Sequence, residues 1–273
     1  MSEDLPDYLR ARGAISLSCA PSERRTIAAR VRQEGALNIR FPRHSSRGLE
    51  GVIVNIAGGV AAGDRHAIDI HAGRGANATI TTPAAEKVYR SPGGVSRIEV
   101  ALSVEGDLAW LPQETILFDQ ARLARRLHAT LSEEASLLAC DITVLGRAAM
   151  GERVRSGFLR DEWRVRRGGR LIYADTLLLD GDIEATLARP GAAAGASAFA
   201  TILYVAPDAE ARLDETRALL DPLRSQACDV AASAWDGLLA LRWLAQDARL
   251  LRASVARFLE SFRGAALPRV WMT

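Results

Sequence analysis

Lysine is almost absent from this chain. Of its 35 basic residues only Lys87 is lysine, and every other is arginine, a fixed charge rather than a tunable amine. Cysteine is scarce as well. Cys19, Cys140 and Cys228 are odd in number and far apart, which excludes a disulfide framework, and no CxxC pair offers a structural zinc site. Of the four histidines, His44, His66, His71 and His128, two lie five apart on an expected strand. His66 and His71 therefore point to opposite faces, a poor geometry for joint metal binding, and all four are read as solvated surface residues. No apolar run approaches the roughly 18–20 residues that span a bilayer. A formal charge of +2 gives no field suited to nucleic acid or an anionic membrane. The opening Met1-Ser2-Glu3-Asp4-Leu5-Pro6-Asp7 is acidic and lacks an apolar core, so it does not read as a secretory signal, and a cytoplasmic protein is expected.

What is present is strand pattern. Leu37 to Phe41, Ile68 to His71 and Ile98 to Val104 alternate with period two, and short strands are also expected at Ile15 to Leu17, Thr26 to Arg32, Val52 to Ile56 and Asn77 to Thr82. A short helix is open at Leu5 to Arg12, and His44 to Gly48 reads as a loop. Gly168-Gly169 and Asp236-Gly237 mark two hairpins. A faint echo joins Ala76-Asn77-Ala78, Gly106-Asp107-Leu108 and Ala135-Ser136-Leu137, at spacings of 30 and 29 residues. Each copy follows an alternating strand. A repeated strand–turn–strand unit predicts stacked β-layers, although consecutive hairpins give a similar pattern. Two helices are expected near the C-terminus, over about 208–221 behind Asp208 and about 247–263 behind Asp247. The second carries Leu251, Val255, Phe258, Leu259 and Phe262 on one apolar face.

Gly58-Gly59-Val60-Ala61-Ala62-Gly63-Asp64 invites a phosphate-loop reading, which fails. No Gly-Lys-Ser/Thr follows, and the next residues alternate as a strand instead of opening a helix. A tight strand crossing that sets Asp64 on a turn fits better. Carboxylates also lie in apolar surroundings: Glu114 and Asp119 near Trp110 to Phe118, and Asp141 between Cys140 and Ile142. Buried carboxylates need a partner, a hydrogen bond or a cation. They suit an ion pair, a cation route, or the acid/base pair of a carboxylate-dependent β-helical hydrolase acting on a polar substrate such as a glycan. The arginines of Arg147 to Arg170, interrupted by Glu152, Asp161 and Glu162 and without interleaved aromatics, read as a solvated, partly paired strand face.

Five segments together resemble the UreD family of urease accessory proteins, called UreH in some organisms. They are Gly58 to Asp64, Thr81-Thr82-Pro83-Ala84-Ala85-Glu86-Lys87-Val88-Tyr89-Arg90-Ser91, Trp110-Leu111-Pro112-Gln113-Glu114-Thr115-Ile116-Leu117-Phe118, Leu145-Gly146-Arg147 with Gly151-Glu152, and Leu267-Pro268-Arg269-Val270-Trp271. Two departures are Ala57 where the family often has proline, and Val60-Ala61-Ala62 in place of a glycine-containing run. The resemblance implies a single domain over 1–273 that is mainly β, a β-rich superhelical, β-helix-like stack of strands with a small two-helix C-terminal part. It implies a scaffold and chaperone for nickel insertion, not an enzyme, with no tightly bound cofactor and nickel(II) in transit through an internal tunnel. The implied partners are the urease apoprotein, UreF and, through UreF, the GTPase UreG, with no nucleic acid and no membrane. On this basis Asp64, Glu86, Glu114 and Asp141 are expected on or near the nickel route, Thr82 as polar lining, and Lys87 as a charge partner that orders its loop.

Overall fold

The chain passes back and forth between two sheets. The computed structural model describes residues 10–23, 25–42, 48–225 and 227–272. The expected loop at His44 and most of the helix considered at Leu5 to Arg12 lie outside the described residues. In chain order the first strands are β1 (Arg12–Ser22), β2 (Arg25–Gly35), β3 (Leu37–Arg40), β4 (Leu49–Asn55), β5 (Arg65–Ala72) and β6 (Asn77–Thr81). There follow β7 (Glu86–Val88), β8 (Ser96–Val104), β9 (Asp107–Leu111), β10 (Thr115–Leu117), β11 (Arg122–Leu131) and β12 (Ser136–Leu145). The last are β13 (Ser156–Arg167), β14 (Arg170–Asp182), β15 (Ala198–Val205), β16 (Cys228–Trp235) and β17 (Leu238–Ala245). Among the described residues α1 (Ile183–Ala188) and α2 (Leu213–Leu220) lie between the later strands, and α3 (Ala248–Arg263) follows the last of them.

The seven-stranded sheet runs β14-β13-β11-β8-β5-β1-β2. The ten-stranded sheet runs β16-β17-β15-β12-β9-β6-β4-β3, with β10 beside β12 and β7 beside β10. From β4 to β13 each parallel neighbour is reached by a detour through the other sheet, because parallel pairing forbids a tight turn. The echo in the sequence is this register: Asn77 lies beside Asp107, and Asp107 beside Ser136. Antiparallel hairpins flank the parallel strands, among them β1–β2, β13–β14 and β16–β17. The mainly β expectation holds. A superhelical stack does not follow from these pairings, because both sheets are open and mixed.

Period-two alternation builds the core. Ile70, Leu102 and Leu131 of the first sheet meet Ile80, Leu137 and Leu203 of the second. The far face of the second sheet, with Cys140, Ile142, Leu241 and Trp243, is covered by Leu251, Val255, Phe258, Leu259 and Phe262 of α3. That helix begins and ends as its sequence dictates. Asp247 accepts from the amides of Arg249 and Leu250, and Gly264 closes it at φ +58°. The helix expected behind Asp208 starts later. A 3-10 turn at Glu210–Arg212 precedes α2, and Asp208 accepts from the Tyr204 hydroxyl at 2.8 Å instead of capping. The six residues of α1 are too few to show a helical period and were not expected. The cysteines are buried and free.

The glycine stretch is a strand crossing. Val60 bridges Val88 in parallel, and the Val60 amide donates to the Lys87 carbonyl at 2.7 Å. Gly59 sits at φ +144°, and a Cβ there would stand 2.5 Å from Cε2 of Tyr89 and 2.9 Å from the Lys87 carbonyl oxygen. Both the backbone angle and the backbone contact resist a side chain. Gly59→Ala is therefore expected to cost about 1–3 kcal/mol, read as a melting temperature several degrees lower. An unchanged melting temperature would mean that the crossing relaxes freely.

Candidate functional site: a polar cavity between the sheets

On β11 the inward positions are Leu123, Arg125 and Leu127, so an arginine occupies an otherwise apolar row. On β12 the inward row runs Leu137, Ala139, Asp141, Thr143, and on β13 Leu159, Asp161, Trp163. These rows meet in a buried charge cluster. The Arg125 guanidinium donates to both oxygens of Asp141, at 2.7 and 2.5 Å, and to both oxygens of Asp161, at 3.0 and 2.6 Å. It also reaches the hydroxyls of Thr115 and Thr143, at 3.0 and 3.2 Å. Burial pushes the Asp141 carboxyl up to about 6, against the pull of Arg125 and with a further push from the Asp161 carboxylate. One guanidinium thus serves two carboxylates.

Beside this cluster a cavity of about 290 Å³ opens between the sheets. Its walls are largely apolar, with Ile68, Ile98, Val100, Trp110, Leu127 and Trp163. His66, Thr82, Glu86, Thr115, Arg125 and Asp141 supply polar groups, and Gly58, Pro83, Ala84 and Lys87 form an exposed rim. The short ladder β7–β10–β12 places Glu86 beside Thr115 and Thr115 beside Thr143, so Glu86 shares an inward row with the charge cluster. Asn55 donates its amide to both Glu86 oxygens, at 3.1 and 3.2 Å, and to the Gly59 carbonyl at 3.0 Å. Burial raises the Glu86 carboxyl to about 6, although Asn55 and the Lys87 amide oppose the rise.

The other expected residues are placed differently. Asp64 is buried behind the cavity wall, its oxygens accepting from the amides of Ala11 (2.8 Å) and Ala61 (2.7 Å), which closes the turn ahead of β5. Glu114 turns to the opposite face and accepts from Arg252 of α3 at 3.2 Å. Thr82 lines the cavity and accepts from the Gln113 amide at 2.9 Å, clipping two of the motif segments together. Lys87 makes no ion pair among the described residues. Glu86 and Val88 take the inward positions of β7, which turns the lysine outward. The expected charge partnership of Lys87 is therefore corrected. Among the described residues no three ligand-type side chains converge on one point.

Sequence reasoning missed four contributors. Arg125 and His66 were legible in principle, because each falls in phase with inward apolar neighbours, Leu123 and Leu127 for one, Ile68 and Ile70 for the other. His66 is 4% exposed and its Nε2 has no hydrogen-bond partner, so the surface reading of this histidine is wrong. Its sibling His71 is half-buried, with Nε2 3.9 Å from Glu105. The arginine-rich stretch divides by parity. Glu162 faces outward among Arg126, His128, Arg160 and Arg164, whereas Asp161 faces inward to Arg125, contrary to the wholly solvated reading. Asn55 gave no signal in sequence.

The C-terminal segment docks on two of the motif segments. Trp271 Nε1 lies 3.2 Å from both the Thr81 hydroxyl and the Leu111 carbonyl, and Gln113 donates to the Val270 carbonyl at 2.9 Å. Arg147 pairs with Glu152 and stacks 4.0 Å from the Phe118 ring, which meets Tyr89 edge-on. Three of the five motif segments thus line one cavity, and the other two contact those three.

Comparison with known proteins bears on the same residues. A family model described as UreD urease accessory protein matches residues 11–272. A protein of Azorhizobium caulinodans named urease accessory protein UreD is 50% identical over 268 residues, covering 97% of this chain and 98% of that protein. Proteins of the same name from Xanthobacter autotrophicus and Rhodopseudomonas palustris are 52% and 48% identical, each over 266 residues and 97% of this chain, and over 91% and 95% of their own lengths.

Proposed function

The chain belongs to the UreD family of urease accessory proteins, and from that premise we propose that it is a scaffold through which nickel(II) passes into the urease apoprotein. In this reading the chain catalyses nothing. It binds the apoprotein on one side and UreF on the other, and through UreF it is linked to the GTPase UreG. Nickel is cargo here and not a resident cofactor.

The observation that carries the proposal is the family match across residues 11–272, joined to the lining of one cavity by three of the motif segments. Transit asks for weak sites, since a complete ligand set would hold the ion. Glu86 suits that requirement. It is a carboxylate inside an open cavity, oriented by a neutral amide and not neutralised by a cation. Asp141 lines the same cavity, but Arg125 occupies both its oxygens, so it serves an ion only if the guanidinium shifts. Asp64 acts on Glu86 through its charge and not as a ligand. Glu114 is held by Arg252 of α3. With Asp141 so engaged, an acid/base pair for a glycan hydrolase lacks its second free carboxylate.

Mixing experiments test this directly. Combined with nickel-free urease, UreF and UreG, the protein is expected to co-elute with urease on size exclusion and to raise urease activity in the presence of nickel(II) and GTP. Failure to associate with the apoprotein, together with turnover of a glycan, would transfer support to the hydrolase.

A further inference from the structure

His66 is the feature that the fold alone does not explain. It stands in the inward row of β5 where Ile68, Ile70 and Ala72 follow, and it lines the cavity. A buried imidazole nitrogen without a partner is unfavourable. An isoleucine or leucine would fill the same row without that penalty. The ring is 4% exposed, lines the cavity, and leaves its Nε2 without a hydrogen-bond partner among the described residues. His66 and Glu86 line the same cavity.

The remaining metal-donor atoms that line the cavity are oxygens, from Glu86, Asp141, Thr82, Thr115 and the amide and backbone carbonyls. An all-oxygen path suits hard cations such as Mg(II), which bind carboxylates and water. An imidazole changes the preference towards Ni(II), in keeping with its ligand softness and its place above Mg(II) in affinity for nitrogen donors. We propose that His66 is a specificity-determining nitrogen donor that, with Glu86, makes the cavity select nickel(II) over magnesium(II). This inference rests on the passage of nickel through the cavity. Two protein donors and water make a site weak enough to release its ion.

The test uses the full chain and metal ions alone. Nickel(II) and magnesium(II) are titrated calorimetrically into the wild type, His66→Leu, His66→Gln and Glu86→Gln, each first checked by thermal unfolding. Wild type is expected to bind nickel saturably. Both His66 variants are expected to lose about tenfold or more in nickel affinity with magnesium unchanged, and Glu86→Gln to weaken both ions. Nickel X-ray absorption of the wild type, which needs no variant, is expected to show an imidazole shell among oxygen donors. If the His66 variants keep wild-type nickel affinity while Glu86→Gln loses it, the histidine assignment is overturned and the passage stands. If Glu86→Gln keeps full nickel affinity as well, the passage through this cavity falls too. Absence of saturable nickel binding by the wild type, or an absorption spectrum without imidazole, also overturns the assignment.

Discussion

Arg125→Met is expected to destabilise the protein by about 3–5 kcal/mol in urea unfolding at neutral pH, the range for removing one partner of a buried ion pair. Methionine matches the aliphatic stem of the arginine, so packing against Leu123 and Leu127 changes little. What changes is charge. Asp141 and Asp161 lie 13% and 9% exposed at the side chain, and both lose their guanidinium. Two carboxylates then face each other between the sheets, with only the threonine hydroxyls near. The deficit has a sign in pH. Burial already raises Asp141 to about 6, and removing the arginine raises it further. A raised folded-state value means that stability present at low pH is lost as pH rises through it. The variant is therefore expected to recover as the pH is lowered towards about 5 and to be worst above about 7. Adding Asp141→Leu and Asp161→Leu removes both orphaned charges and is expected to restore most of the loss, as replacing a whole buried network with apolar groups often does. A loss below about 1 kcal/mol in the single variant would show that the guanidinium is not the common partner of both aspartates.

Glu86→Gln is expected to move stability and function in opposite directions. Glu86 titrates at about 6 in the folded protein against an ordinary value of 4.5. The group therefore favours folding only when protonated, and that contribution disappears as pH rises from the ordinary value through 6. One pKa unit corresponds to about 1.4 kcal/mol, and discounting for its partial exposure leaves about 1 kcal/mol that glutamine recovers at about pH 8 and does not recover at about pH 4. Asn55 still has an oxygen to donate to. A residue with only a structural role would lower stability and activation together. A stabilising substitution that lowers urease activation by about tenfold or more instead marks a carboxylate kept for its affinity for a cation.

Much of the fold was legible because strand alternation is a direct record of which face is buried. The echo at residues 77, 107 and 136 turned out to be the inter-strand register itself. The hairpin turns were legible for a backbone reason: Asp236 and Gly237 both take positive φ, at 50° and 72°, as that turn requires. Sheet membership was not legible, because alternation says which side chains point inward and not which strand lies alongside. The start of α2 was misread because the Asp208 carboxylate has a competing partner in the Tyr204 hydroxyl, a contact invisible in the helix pattern.

The site was legible in its segments and less so in its side chains. Glu86 and Asp141 do share the cavity, whereas Asp64 and Glu114 are turned to a loop and to a helix by partners distant in sequence, Ala11 and Arg252. Lys87, conspicuous as the single lysine, points outward because its neighbours on either side take the inward positions. Arg125 was hidden by the opposite habit, that of reading arginines as surface. Its phase with Leu123 and Leu127 was the available signal.

Nickel passage is tested most directly by the rate at which nickel-free urease gains activity in the presence of UreF, UreG and either the wild-type chain or Glu86→Gln, with co-elution of the complexes measured on the same samples. Passage through the cavity predicts equal association and an activation rate lower by about tenfold or more for the variant. Equal association with an equal rate would contradict it.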